Sequence, residues 1–377
     1  MTTTESFHAA RPASAPRGKP SNGAGSRANW LVYGDAMRVL GVLAVIIGHV
    51  ADMRFFQPGI SRGEWWAVNV LDAACRWAVP IFIMLSGSLL LNPSRRETAS
   101  HFYRRRVARL GVAIAFWSPV FMLLAVYYTG WMDGSWDSSK SIWKALLKGQ
   151  PYPHLHFVFR LGGLYLITPM LRVYVRRASL RLRALMAVVI LGLGMANSLA
   201  CGFLGAEMSG FMICWPFLGY YLAGDVMRNM PVSRRTMVWS CAGFLVTTGL
   251  VAGVTGWIVP AGQPPKYYPS IDMMMFDFLN PVRVVMAICA WNVLVYVFSR
   301  VRAKSLAHRL MAAVAPLTLG IYMIHPLFRE ILWQQGWLVN LPTIWLNTAL
   351  PMAVVIVASF AVSWALYRIP VVRKIVC

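Results

Sequence analysis

Two basic side chains, Arg38 and His49, stand eleven residues apart in the first long apolar stretch, DAMRVLGVLAVIIGHVAD. An imidazole with an unperturbed pKa near ~6.5 can take up and return a proton at neutral pH, and a planar, permanently charged guanidinium suits phosphate. At about 100° per residue the pair is close to three whole helical turns apart, so both project from one face, roughly 16 Å apart along the axis. Asp35 precedes Arg38 by three residues and Asp52 follows His49 by three, so each basic group has a carboxylate within side-chain reach. An ionisable group at mid-membrane costs at least ~2.5 kcal/mol, which makes such residues functional candidates. In the plainer alternative, Arg38 reaches back to the headgroups and His49 satisfies a neighbouring helix.

Other polar groups in apolar surroundings are weighed the same way. Asp72 and Arg76 are four residues apart and can neutralise each other ahead of Pro80, as a structural pair or as a substrate contact. Arg104, Arg105, Arg106 and Arg109 form a basic run of the kind that orients a span. His154 lies just before an apolar run, and Arg160 lies six residues deeper, where it needs a partner or a water-filled cavity. His325 is followed by Pro326, which leaves the carbonyl of Met323 or a neighbour without an amide partner and lets the helix bend. His325 then either caps the kink or serves a site. Ser86, in LSGS, has no hydrolase elbow around it and reads as a small packing residue rather than a nucleophile. The six cysteines show no paired short spacing, so neither a disulfide framework nor a zinc or other metal site is expected.

The elements that must hold these residues follow from composition. Of 377 residues, 58% are apolar and 13% charged, against about 25% charged in a soluble domain. Apolar runs of roughly 20 residues, enough to cross about 30 Å of hydrocarbon, recur from Leu31 to Tyr367. They predict an all-α, polytopic membrane protein of ten transmembrane helices, near 31–54, 68–91, 107–129, 156–175, 184–201, 210–227, 236–259, 281–299, 312–335 and 344–367. The net charge of +23 might suggest a nucleic-acid binder, but the cations sit in six short segments rather than on one continuous face. With these spans, 25 of the 36 Lys and Arg fall on one side, 6 on the other and 5 within spans. The positive-inside rule then places both termini in the cytoplasm. Residues 1–29, rich in Ala, Ser, Pro, Gly and Arg, are expected to be a disordered basic cytoplasmic tail with no signal peptide, and 30–377 the membrane domain.

The pattern Asp-x-x-Arg-x10-His formed by Asp35, Arg38 and His49 resembles the signature of the acyltransferase-3 family, integral membrane O-acyltransferases of surface polysaccharides and some antibiotics. Four further segments resemble the family in the same order. They are RWAVPIFIMLSGSLL (Arg76 to Leu90), RRRVARL (Arg104 to Leu110), HLHFVFRLGGLYLITPML (His154 to Leu171) and LGIYMIHPLF (Leu319 to Phe328). The resemblance covers about residues 30 to 374. His156 stands where the family usually has Trp, and Arg160 where a neutral residue is usual; both departures bear on acceptor specificity.

The resemblance implies transfer of an acyl group, most often acetyl, from cytoplasmic acyl-CoA to a hydroxyl of a surface glycan or lipid-linked sugar. A multi-pass protein of a bacterial cytoplasmic (inner) membrane is implied, with acyl-CoA as donor substrate, no bound cofactor and no nucleic-acid partner. On this reading Arg38 pairs with the donor's phosphates, with Asp35 and Arg106 also on the donor side, and His49 is the general base; the three-residue spacing lets Asp52 hold it in its tautomer. His154, His156, Arg160 and His325 line the acceptor site. The competing function is a transporter or exporter of a lipid-linked glycan or small metabolite, for which the Arg-x10-His face has no evident use.

Overall fold

The computed structural model describes residues 23–57, 59–93, 97–129, 152, 154–204, 215–259, 261, 277–302, 304–335, 343–370 and 372–373. Every regular element among them is helical. Nine helices or helix pairs are long and apolar enough to cross a membrane. Many of their large apolar side chains, Leu123, Met170, Leu245 and Trp257 among them, face outward. Such a surface would be unfavourable in water and suits lipid. The protein is an all-α polytopic membrane protein.

Helix α1 spans Gly23–Phe55, starting within the stretch read from sequence as a tail; residues 1–22 lie outside the described residues. It is the axis of the molecule. The helices packed around it are α2 (Arg62–Cys75) and α3 (Ala78–Leu90), and later in the chain α10 (Pro281–Phe298), α12 (Thr318–Gln334) and α13 (Ile344–Tyr367). Helices α2 and α3 are one span broken at Arg76–Trp77. Pro80 has no amide hydrogen and is tolerated in the first turn of α3, where that hydrogen would go unused. The break leaves the Arg76 side chain inside the bundle.

Between them lie α4 (Ala99–Phe102), a widened π turn at Tyr103–Val107, α5 (Ala108–Thr129), α6 (His156–Arg177), α7 (Leu180–Leu204), α8 (Trp215–Arg228) and α9 (Arg234–Ile258). A short helix, α11 (Leu306–Val314), leads through a 3-10 turn containing Pro316 into α12, making one span of Leu306–Gln334. Ten spans are expected from sequence, and nine of them appear among the described residues. The sixth, 210–227, appears from Trp215 onward as the 14-residue α8.

Helix α8 is wedged between α3 and α7, with Tyr220 and Tyr221 fully buried. Two glycines allow this. A Cβ on Gly87 would fall 1.8 Å from the Tyr221 carbonyl oxygen, and one on Gly224 would fall 1.8 Å from that of Met84. The two backbones therefore touch, as small residues permit in membrane helix pairs. The carbonyls at the end of α3 are covered by charge: Arg228 donates to Ser88 O at 2.9 Å and Arg172 to Leu90 O at 2.7 Å.

Candidate active site

Arg38 and Asp35 form the ion pair that their spacing predicts, with Nη1 2.5 Å from the carboxylate. Arg106, at the end of the arginine run in the π turn, and Arg109, in the first turn of α5, line the same cavity as this pair. The cavity has a volume of about 510 Å³. Its walls come from α1, α3, α5, α6 and α12, and its lining also includes Phe82, Phe157 and Tyr322. Because α3 and α6 run antiparallel to α1 while α12 runs parallel to it, these three rings lie deeper than Arg38, towards His49. The sequence-predicted donor residues Asp35, Arg38 and Arg106 thus share one chamber.

His49 lies beyond that chamber, paired with a residue 276 positions away. Its Nδ1 is 2.8 Å from Nε2 of His325, and the two rings stack at 5.1 Å with 22° between planes. Nδ1 of His325 is in turn 2.7 Å from the carbonyl oxygen of Tyr322. A carbonyl only accepts, so the hydrogen-bond network assigns the His325 proton to Nδ1 and leaves Nε2 as an acceptor. His49 must then donate from Nδ1, and among the described residues no hydrogen bond engages its Nε2. In the neutral form of the pair, the free lone pair is that of His49 Nε2. The reason the Tyr322 carbonyl is available lies in the sequence. It is four residues before Pro326, which has no amide hydrogen to offer it. His325 therefore covers the kink with Nδ1 and orients His49 with Nε2, so the two uses left open by its sequence coincide.

Asp52, expected to hold His49, instead turns to Arg76, whose Nη2 is 3.8 Å from its carboxylate. Arg76 also pairs closely with Asp72, as the four-residue spacing predicts. The break between α2 and α3 brings this guanidinium to α1 and draws Asp52 away from the imidazole. The partner of His49 Nδ1 is His325.

The four residues expected on the acceptor side divide into two groups. His154, just ahead of α6, joins the dyad: its ring meets that of His325 edge-on at 5.9 Å, and its carbonyl accepts a 2.6 Å hydrogen bond from the Tyr322 hydroxyl. Burial, and next the neighbouring His325 and His49, hold the His154 imidazole well below its usual range, so it is neutral. His156 and Arg160 instead gather at Phe278. The His156 ring is 5.5 Å from it, and the Arg160 guanidinium lies 5.7 Å from it and 4.4 Å over Phe217. Arg160 is only 9% exposed, and this aromatic shelf gives its charge a favourable face.

Sequence reasoning missed Tyr322, Phe278 and Arg283, whose guanidinium lies 4.5 Å over the Phe278 ring. It also missed Arg329, one turn beyond His325 on α12 and paired with Glu330 at 3.5 Å. A signal existed for the two arginines, since both are among the five cations that fall within spans. Tyr322 could have been found by counting back four residues from Pro326.

No curated protein and no solved structure matches the chain. A family model described as an acyltransferase domain, that of the acyltransferase-3 family, matches residues 31–368, which include the Arg38 cavity, the His49–His325 dyad and the Phe278 cluster. The chain therefore belongs to the acyltransferase-3 family, and the protein is a membrane acyltransferase.

Proposed function

We propose that the protein transfers an acetyl group from cytoplasmic acetyl-CoA to a hydroxyl of a surface glycan or its lipid-linked precursor, in a bacterial inner membrane with both chain termini in the cytoplasm. The observation that carries this reading is the hydrogen-bonded chain from the Tyr322 carbonyl through His325 to His49, standing beyond a chamber lined by Arg38, Arg106 and Arg109. The cationic end suits the donor's phosphates, since charge-assisted contacts to guanidinium are the strong ones. His49 Nε2 removes the proton of the acceptor hydroxyl as that oxygen bonds to the thioester carbon. The tetrahedral intermediate collapses with cleavage of the C–S bond, and the departing sulfur takes the proton back from Nε2, so no proton is gained or lost. Such general-base action typically contributes about 10²–10⁴-fold. His154, His325 and the Phe278 cluster would face the acceptor.

The test is thiol release from acetyl-CoA by the purified full-length protein, with surface glycan and lipid-linked sugars offered as acceptors. It is paired with ester analysis of the surface glycan before and after gene deletion. Acceptor-dependent thiol release, and an ester lost on deletion and restored by complementation, are expected. Absence of release with every acceptor would overturn the proposal.

A further inference from the structure

Three rings stand between the arginine-lined chamber and the histidine dyad, each from a different helix. Phe82 on α3, Phe157 on α6 and Tyr322 on α12 all line the chamber, and they touch in sequence. Phe82 and Phe157 are 5.9 Å apart between centroids, and Phe157 and Tyr322 are 5.3 Å apart. On α1, Gly41 lies between Arg38 and His49, and the Phe82 ring rests against its backbone. A Cβ on Gly41 would fall 3.0 Å from the Phe82 Cζ. Tyr322 is tied at both ends, its hydroxyl donating to the His154 carbonyl at 2.6 Å and its own carbonyl accepting from His325. Two of the rings are thus braced, Phe82 by a backbone and Tyr322 by hydrogen bonds. Phe157, between them, is held by ring contacts.

We infer that Phe82, Phe157 and Tyr322 form an aromatic partition that gauges the acyl chain, admitting a two-carbon acyl group to His49 and rejecting longer ones. The inference rests on the reading of the chamber as the acyl-CoA site. The physical argument is that a thioester carbon reaching His49 from the Arg38 end must pass these rings, two of which are braced and leave little slack for added methylenes. A longer chain has to displace a ring, and that of Tyr322 is held by its hydroxyl's bond to the His154 carbonyl. A rigid apolar wall of this kind discriminates between homologues by about 10–200-fold per methylene. The ordinary trend, in which each added methylene strengthens binding, is opposed here by lack of room.

The experiment measures binding of CoA, S-ethyl-CoA, S-propyl-CoA and S-butyl-CoA, stable thioethers that need no acceptor, to the full-length protein in detergent by calorimetry. Wild type should bind S-butyl-CoA at least about tenfold more weakly than S-ethyl-CoA. Phe157→Ala should abolish or reverse that ratio, the affinity of the same variant for CoA serving as the reference. Phe157→Leu, the smaller change, serves if the alanine variant is not recovered folded. S-butyl-CoA binding wild type as tightly as S-ethyl-CoA, or a ratio unaltered in both variants, overturns the partition. Failure of CoA and of every thioether to bind wild type overturns the donor assignment of the chamber instead, and the partition with it.

Discussion

Because Pro326 has no amide hydrogen, the carbonyl of Tyr322 four residues earlier is left for the adjacent His325, whose Nδ1 lies 2.7 Å from it. One imino acid thereby decides which nitrogen of His325 carries the proton, and through the 2.8 Å contact to His49 it decides which nitrogen of His49 has the free lone pair. Pro326→Ala restores an amide that competes for the same carbonyl. The variant should be at least as stable as wild type, yet slower in kcat. His325→Ala should lower kcat with little change in KM for the donor, by less than His49→Ala does. His325→Asn, which can accept from His49 Nδ1, should recover part of the loss. Thermal denaturation and steady-state kinetics on the same preparations separate these effects, and equal kcat in all three variants would remove His325 as a positioning residue.

Arg38 and His49 share a face of α1 but lie at different ends of the candidate site, so on the proposed roles their variants should fail differently. Arg38→Ala removes a charge-assisted contact of about 1.5–3 kcal/mol, and high acyl-CoA should restore much of the rate. His49→Ala should retain normal donor binding while transfer falls by about 10²–10⁴-fold at every donor concentration. Calorimetry and thiol release give the two quantities. Near-normal transfer by His49→Ala would end its assignment as base.

The backbone contact between α3 and α8 leaves no room for a methyl group at Gly87 or Gly224. Gly87→Ala and Gly224→Ala should each lower stability by at least about 1–3 kcal/mol, the usual cost of overpacking. The expected sign is a lower melting temperature and a reduced yield of folded protein. Gly111→Ala is the control, since nothing lies within 4 Å of a Cβ there. Similar melting temperatures for all three would mean that α8 is not wedged as described.

His156 and Arg160, the two departures from the family's usual residues, converge on Phe278. His156→Trp should leave thioether-CoA binding intact and alter the relative rates with different acceptors. A competition assay with paired sugars measures the ratio directly. An unchanged ratio would locate acceptor choice away from this cluster.

What the sequence made legible was local. Asp35, Arg38 and His49 lie on one uninterrupted helix, where periodicity alone sets which side chains share a face. Asp72 and Arg76, four residues apart, were readable for the same reason. The dyad was not, because His49 and His325 are 276 residues apart and meet only when α12 packs against α1. The role given to Asp52 failed on a competition that spacing cannot weigh: the imidazole is three residues away on its own helix, but the break after α2 delivers a guanidinium. Hydropathy could not separate α8 from a lipid-facing span, since an apolar helix buried between two others has the same composition. It is the glycines opposite Tyr221 and Met84 that distinguish it.

A relay made of two neutral imidazoles and a peptide carbonyl has an electrical consequence. A resting His–carboxylate pair would put fixed charge part-way across the bilayer, where about 2.3 kcal/mol acts on each full charge per 100 mV traversed. A neutral His49–His325 pair offers the transmembrane field no net charge to act on, and in the proposed mechanism it gains one only between removal of the hydroxyl proton and departure of the sulfur.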